Sequence, residues 1–288
     1  MTLVNKGWVK MKRNKSLVMT MTLLLALVVG ACSSQDTKTS TKASAGAAKD
    51  GSKIQKIIVG TGTQFPNVCF IDKNGKLTVY DVELVRKIDE KLPEYQFEFK
   101  TMDFSNLLIS LETNKIDFIA HQMEVNEERQ KKFLFNKEPY NIFPLNVTVN
   151  KNNKDIHSIK DLKGKKAIVS ATSNSAVFLE KYNKENNAGI QIVYAGNGPD
   201  STINQLKTGR ADATITTPFS VDFLNKSVDA QQKVVGEPLL NSKVFFLLRK
   251  DETPLQKKID EALVELKKEG VVSELSKKWL GADYTVKF

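Results

Sequence analysis

The stretch His121-Gln122-Met123-Glu124-Val125-Asn126-Glu127-Glu128-Arg129 holds the residue types best suited to gripping a small charged molecule. An apolar run, Ile116 to Ala120, precedes it and reads as a strand, and Asn126 reads as the cap of a helix that follows. Arg129 then falls in the first helical turn, where a cation opposes the positive end of the helix dipole and costs a few tenths of a kcal/mol. Such a local conflict is the mark of a functional position. A guanidinium beside free helix N–H groups can hold a carboxylate through two parallel hydrogen bonds. A solvated surface charge, partly offset by Glu127 and Glu128, accounts for the same pattern.

Other residues could converge on the same point. Ala171-Thr172-Ser173-Asn174-Ser175 joins a strand, Lys166 to Ser170, to a helix carrying Val177, Phe178 and Tyr182. Small hydroxyl residues at such a turn leave backbone N–H groups open to an anion, and plain capping by Thr172 or Ser173 fits equally. Phe65 and Phe104 stand at loop positions beside strands and could floor a cleft or belong to the core. The chain has two cysteines, Cys32 and Cys69, and two histidines, His121 and His157. No metal-ligand spacing or nucleophile–base pair emerges from them. Cys69 reads as a packed small residue, His157 as exposed, and His121 as a hydrogen-bonding wall residue. No cofactor is called for.

The elements that must position these residues alternate short β-like runs with amphipathic helices, an α/β pattern with largely parallel sheets. Lys56 to Thr61 reads as a buried strand, and Asn74-Gly75 as the turn of a hairpin within Phe70 to Leu77. Asp81 is expected to cap a helix bearing Val82, Val85, Ile88 and Leu92, stopped by Pro93. Tyr95, Phe97 and Phe99 alternate with polar residues as a half-buried strand. A helix through Leu107, Leu108 and Leu111 follows.

Leu111-Glu-Thr-Asn-Lys-Ile-Asp117 is echoed by Leu206-Lys-Thr-Gly-Arg-Ala-Asp212, which suggests two lobes built alike. The apolar runs Phe143 to Val149 and Val244 to Leu248 are expected to be hinge strands between them. The organisation expected is residues 54–148 plus 244–288 as lobe 1 and 149–243 as lobe 2, with a cleft between, the usual place for a small ligand. A last helix is expected with Thr253 as cap, Pro254 at its first position, Leu255, Ile259, Leu263 and Leu266 inward, and Gly270 at its end.

The start of the chain is of another kind. Lys6, Lys10, Lys12, Arg13 and Lys15 precede an apolar run, Leu17 to Val29, that is short for a membrane span. Residues 1–31 are therefore expected to be a cleaved signal peptide, and residues 32–53 a flexible tether with a reach of roughly 25 Å. Five of the 43 basic residues lie in the leader and none of the 33 acids does, leaving 38 against 33, a net charge of +5. That ordinary balance, without an Arg-rich helix, excludes a nucleic-acid footprint. With only Cys69 left beyond Cys32, the expected lipid site, no internal disulfide can form, and an apolar core must hold the fold.

Val29-Gly30-Ala31-Cys32 resembles the bacterial lipobox, which implies a lipid on Cys32 and a place on the outer face of the cell membrane, Gram-positive by preference and periplasmic if Gram-negative. From about Ile57 to Leu280 the chain resembles the polar amino-acid (family 3) solute-binding proteins of ABC importers. The pieces that carry this are Gly60-Thr61 with Phe65, Asn74-Gly75-Lys76-Leu77 leading to Tyr80-Asp81, Phe104 with Leu107-Leu108, Lys115-Ile116-Asp117, Glu128-Arg129, Phe135 with Tyr140, Asp161 to Lys165, and Gly209-Arg210-Ala211-Asp212. Ala120 to Met123 with Glu128-Arg129 and Lys132 to Phe135 further resembles the cystine-binding branch.

The resemblance implies a two-lobed periplasmic-binding-protein fold of type II, with two parallel-rich sheets joined by two hinge strands. It implies an amino-acid ligand, an ABC permease with its ATPase as partners, and a monomer. Arg129 would grip the ligand's α-carboxylate, helped by backbone groups at Gln122 and Glu124 and by the turn at Thr172 and Ser173, with Phe65 and Phe104 against the side chain. Two places depart from the family pattern: acids expected for the α-ammonium are Thr217 and Gly62 here, while Glu124 stands where Ser or Thr is usual. Either Glu124 takes over the ammonium or the ligand is not an ordinary α-amino acid, because an ammonium buried without a carboxylate costs several kcal/mol. A sensing or adhesion lipoprotein, or a dehydratase-type enzyme on this fold, are the competing readings.

Overall fold

The computed structural model describes residues 54–196 and 199–285; the leader, Cys32 and the tether up to residue 53 lie outside the described residues. The chain opens with β1 (Gln55–Thr61), a buried apolar run as expected. A small antiparallel sheet of β2 (Gln64–Phe65), β3 (Cys69–Ile71) and β4 (Leu77–Thr78) follows, with Asn74-Gly75 in the turn of its last hairpin. Next come α1 (Tyr80–Lys91), β5 (Tyr95–Thr101), α2 (Phe104–Glu112), β6 (Phe118–Glu124), α3 (Glu127–Lys132) and β7 (Leu134–Phe135). β5, β1 and β6 pair in parallel, each strand's apolar side covered by helices.

The long β8 (Asn141–Asn150) leads to a second parallel group: β9 (Lys166–Val169), α4 (Asn174–Asn186), β10 (Gln191–Tyr194), α5 (Pro199–Lys207), β11 (Ala213–Thr216) and α6 (Pro218–Val228). The 17-residue β12 (Gln232–Leu248) returns antiparallel to β8, and α7 (Thr253–Lys268) and α8 (Val271–Leu280) pack back on α1. Strand order is β10-β9-β11-β8-β12-β6-β1-β5. The two parallel groups thus flank the antiparallel pair β8–β12, whose pairing is interrupted by a register shift between Val235 and Leu240. Val244 to Leu248, expected to be a whole hinge strand, is only the last part of β12, because Gln232 to Val235 already pair with Asn150 to Val147.

The internal echo is structural. Asp117 accepts from Ile58 N through Oδ2 at 2.6 Å, and Asp212 accepts from Lys166 N through Oδ2 at 2.8 Å. Thr113 and Thr208 each donate from Oγ1 to the carbonyl four residues back, at 2.7 Å in both cases. Asn114 and Gly209 both turn left-handed, at φ 56° and 68°. In each group a helix therefore ends on the same turn, and an aspartate pins the following strand to its neighbour.

Three expectations need correction. Asp81 does not cap α1: the helix starts one residue earlier, Val79 holds the cap position without a side-chain bond, and the Asp81 carboxylate is fully buried. Glu252 rather than Thr253 precedes α7, although Leu255, Ile259, Leu263 and Leu266 are inward as expected. The strand expected over Ile116 to Ala120 is β6, and all seven of its residues, Phe118–Glu124, are buried. His121 to Glu124 therefore sit inside the strand.

Candidate ligand-binding cleft

Arg129 is positioned by its own backbone. Asn126 Oδ1 accepts from Arg129 N at 2.9 Å, which caps α3 and fixes the arginine in its first turn. The side chain is only 3% exposed, so it is no solvated surface charge. Nη1 donates to the Glu124 carbonyl at 2.8 Å and Nη2 to the Thr172 carbonyl at 3.0 Å, whereas Nε has no partner. Glu124, also buried, leaves Oε1 without a partner. Burial pushes the Glu124 carboxyl up to about 7, against the pull of Ser242, the Arg129 charge and Asn174. A buried guanidinium and a buried carboxyl with vacant hydrogen-bonding positions thus share one wall, the chemistry a zwitterion needs.

Upstream, a kink supports this wall. Gln122 is left-handed at φ 48°, opposite a register shift in β12 between Phe245 and Leu247. Its amide N and Nε2 donate to Asp81 at 2.9 and 2.6 Å, and Tyr140 donates to the same carboxylate at 2.8 Å. Asn141, the first residue of β8, donates to Gln122 Oε1 at 2.9 Å. Burial lifts the Asp81 carboxyl to about 6 although Gln122 and Tyr140 pull it down. Asp81 lies behind the cavity lining and braces Gln122 from there, a role that the Tyr80-Asp81 pair alone signals in the sequence.

Arg129, Glu124, His121 and Gln122 line a cavity of about 280 Å³ together with residues of both parallel groups. His121 lies between Phe65 and Phe104, with ring centroids 5.1 and 4.9 Å away. Burial pushes its pKa down to about 4, so the imidazole is neutral near pH 7. Gly62 makes room for it: a Cβ there would lie 2.9 Å from His121 Nε2 and 3.2 Å from Cys69 Sγ. Cys69 is buried and its thiol is pushed up to about 12, first by burial.

Ser173 lines the cavity and caps α4, accepting from Ala176 N at 3.2 Å. Thr172 is left-handed at φ 60°, a costly conformation for a β-branched residue, and its carbonyl is the one that meets Arg129. Asn126 Nδ2 donates to Asn174 Oδ1 at 2.9 Å, and Phe70 packs edge-on to Phe223 at 5.6 Å. The walls of the cleft therefore touch at three places.

The sequence model of the bacterial extracellular solute-binding proteins, family 3, matches residues 57–282. The chain belongs to this family. L-cystine-binding protein TcyK of Bacillus subtilis is 57% identical over 233 residues, 81% of this chain and 86% of TcyK. L-cystine-binding protein TcyJ of the same organism is 49% identical over 275 residues, 96% of this chain and 98% of TcyJ. A solved Listeria monocytogenes structure, provisionally named an L-cystine ABC transporter, is 61% identical, with a TM-score of 0.77, covering 81% of this chain and 98% of its own. The fold is accordingly the two-lobed type II fold of periplasmic binding proteins.

Within this solute-binding fold, Thr217 is fully buried behind the cavity lining rather than on it. Its hydroxyl caps α6, accepting from Ser220 N at 3.3 Å and donating to Ser220 Oγ at 2.9 Å. Thr216 and Ser220 reach the cavity in its place, as do Asn174 and Gln232, which no sequence signal singled out. Among the described residues no helix is long and apolar enough to cross a membrane.

Proposed function

We propose that this solute-binding protein captures L-cystine in the cleft between residues 54–148 plus 244–288 and residues 149–243, and delivers it to an ABC permease driven by its ATPase. The observation that carries this reading is the buried Arg129 on the cavity wall, with its Nε vacant, and the unpartnered Oε1 of Glu124, which lines the same cavity. Arg129 takes the ligand's α-carboxylate, assisted by backbone at Gln122 and Glu124 and by the turn at Thr172 and Ser173. Glu124 takes the α-ammonium in place of an acid at Thr217. Phe65, Phe104 and His121 receive the sulfur-bearing chain, since thioether and disulfide sulfur packs well on ring faces and edges.

Names of the relatives TcyK and TcyJ support cystine as the ligand. The match to TcyJ spans 96% of this chain, more than the described residues alone, so it includes leader and tether. The lipobox-like Val29-Gly30-Ala31-Cys32 is what supports a mature protein that starts at Cys32 and is lipid-anchored there on the outer side of the membrane. The test is calorimetry of the soluble body against L-cystine and the single amino acids. Saturable binding of cystine, lost in Arg129→Ala, is the expected result; binding of cystine no tighter than of the others would overturn the ligand assignment.

A further inference from the structure

The last described residues cross from one half of the molecule to the other. α8 packs on α1 and α7, in the half that holds β1, β5 and β6. Past its end the chain folds back on it: Ser276 Oγ donates to the Ala282 carbonyl and accepts from Tyr284 N, both at 2.9 Å. Asp283 accepts from Ser273 Oγ, and from Thr285 N and Oγ1. Residues 281–285 are thereby held to α8 as one piece.

From that base Tyr284 reaches β8 and α6. β11 pairs with β8 only from Asn146 to Thr148, so ahead of Asn146 the edge of β8 facing away from β12 lacks a strand. The tail covers it there, the Tyr284 carbonyl accepting from Ile142 N at 3.0 Å. The Tyr284 ring meets Phe219, in the first turn of α6, edge-on at 5.4 Å. One turn further along α6, Phe223 meets Phe70 of the small sheet at 5.6 Å, and residues four apart share a helix face. Phe219 also packs on Phe143 of β8 at 6.0 Å, and Phe143 on Phe65 at 5.9 Å. An aromatic row thus runs from the tail, through the start of α6 and β8, to the cavity wall, which Phe143 and Phe65 line.

We infer that this tail is a third, non-covalent link between the two halves, beside β8 and β12, and that Tyr284 is a positioning residue holding α6 and its cleft wall closed on the ligand. α6 travels with the second parallel group while the tail stays with α8, so rotation about β8 and β12 changes the separation of the Tyr284–Phe219 pair. Dispersion contacts fade within an ångström. The pair is made in an arrangement whose walls meet through Arg129 and Thr172, so it favours that arrangement and slows escape of whatever is enclosed. The inference rests on the cleft as the ligand site in the proposed function, and not on which amino acid fills it.

The test uses the chain from residue 32 onward with Cys32→Ser, spin-labelled at Ile109→Cys on α2 and Lys184→Cys on α4, both exposed positions; buried Cys69 stays unlabelled. In Tyr284→Ala the empty protein should shift toward longer distances between the labels. Release of L-cystine in stopped-flow should quicken about fivefold, the size of one aromatic pair, with association within about twofold. Tyr284→Phe, which keeps the ring, should restore both readouts. Tyr284→Leu, with apolar bulk but no ring, serves if the alanine variant does not fold. Unchanged distances and release in a folded variant, or no rescue by phenylalanine, would overturn the link. Absence of L-cystine binding to the chain with native Tyr284 would instead sink the ligand reading, while the distances in the empty protein still decide the role of the tail.

Discussion

Nη2 of Arg129 donates to the carbonyl of Thr172, 3.0 Å away and 43 positions along the chain. The arginine thus joins the two walls of the cleft while its Nε stays vacant. Arg129→Ala should weaken an amino-acid ligand at least a hundredfold, from loss of a desolvated pair worth roughly 3 kcal/mol or more. Lysine should rescue only partly, lacking the planar fork. Unchanged affinity in calorimetry of the alanine variant would remove Arg129 from the site.

Glu124 makes binding and stability respond to pH in opposite senses. Its carboxyl, pushed up to about 7 in the empty cleft, must ionise to meet an ammonium, so affinity should fall as pH drops below about 7, and binding at pH 7 should release a proton. For the empty protein, a raised carboxyl pKa gives stability that is complete below the unfolded value near 4.5 and is lost as pH rises through about 7. Glu124→Gln should therefore stabilise the empty protein at pH 8 by up to about 3 kcal/mol and weaken the ligand by roughly 2 to 4 kcal/mol. Thermal melts across pH, with titrations in buffers of different ionisation heat, check both signs.

Asp81→Asn keeps the shape but puts an amide NH2 where the carboxylate accepts from Gln122 and Tyr140. At least one donor then faces a donor, and a loss of about 1–3 kcal/mol in urea unfolding at pH 8 is expected. Because burial lifts Asp81 to about 6, the wild-type carboxyl also favours the folded state more at low pH than at high. A variant as stable as wild type would show that the Gln122 kink does not depend on this carboxylate.

Gly62→Ala tests the space beside the aromatic stack. Its Cβ would come within 2.9 Å of His121 Nε2, so His121 must shift between Phe65 and Phe104. Overpacking of this kind costs about 1–3 kcal/mol, and ligand affinity should fall with it. Wild-type melting and affinity together would place His121 outside the binding geometry.

Cys32→Ser should release the protein from the membrane fraction without changing ligand affinity, since every residue assigned to the cleft lies in residues 54–285. Recovery of the wild type mainly in the soluble fraction would count against the lipid anchor.

Periodicity made much of this fold readable. Leu255, Ile259, Leu263 and Leu266 fall inward because a helical face repeats at fixed spacing, and the Asp117 and Asp212 turns repeat because the same local bonds build both. Arg129 was legible for a different reason: a cation in a first helical turn is locally unfavourable, so its presence needs a cause. Asp81 misled, because an acid ahead of an apolar run looks the same whether it caps a helix in water or lies within the first turn, buried under a kinked strand. Thr217 was carried from a family pattern onto a residue whose hydroxyl is spent on its own helix. Gln232 left no local trace at all, since its burial depends on the pairing of β12 with β8, set more than eighty residues apart along the chain.

Cys69 sits one glycine behind the cavity, its Sγ 3.2 Å from where a Cβ on Gly62 would stand. If the ligand is cystine, as proposed, a thiol so close to it invites exchange, in which a thiolate attacks one sulfur and expels the other half as a thiolate that takes up a proton. With its pKa pushed up to about 12 by burial, Cys69 stays a neutral thiol near pH 7, and the thiolate is the attacking species. On the proposed reading of cystine as the ligand, the protein holds an oxidised molecule beside its own sulfhydryl without reducing it.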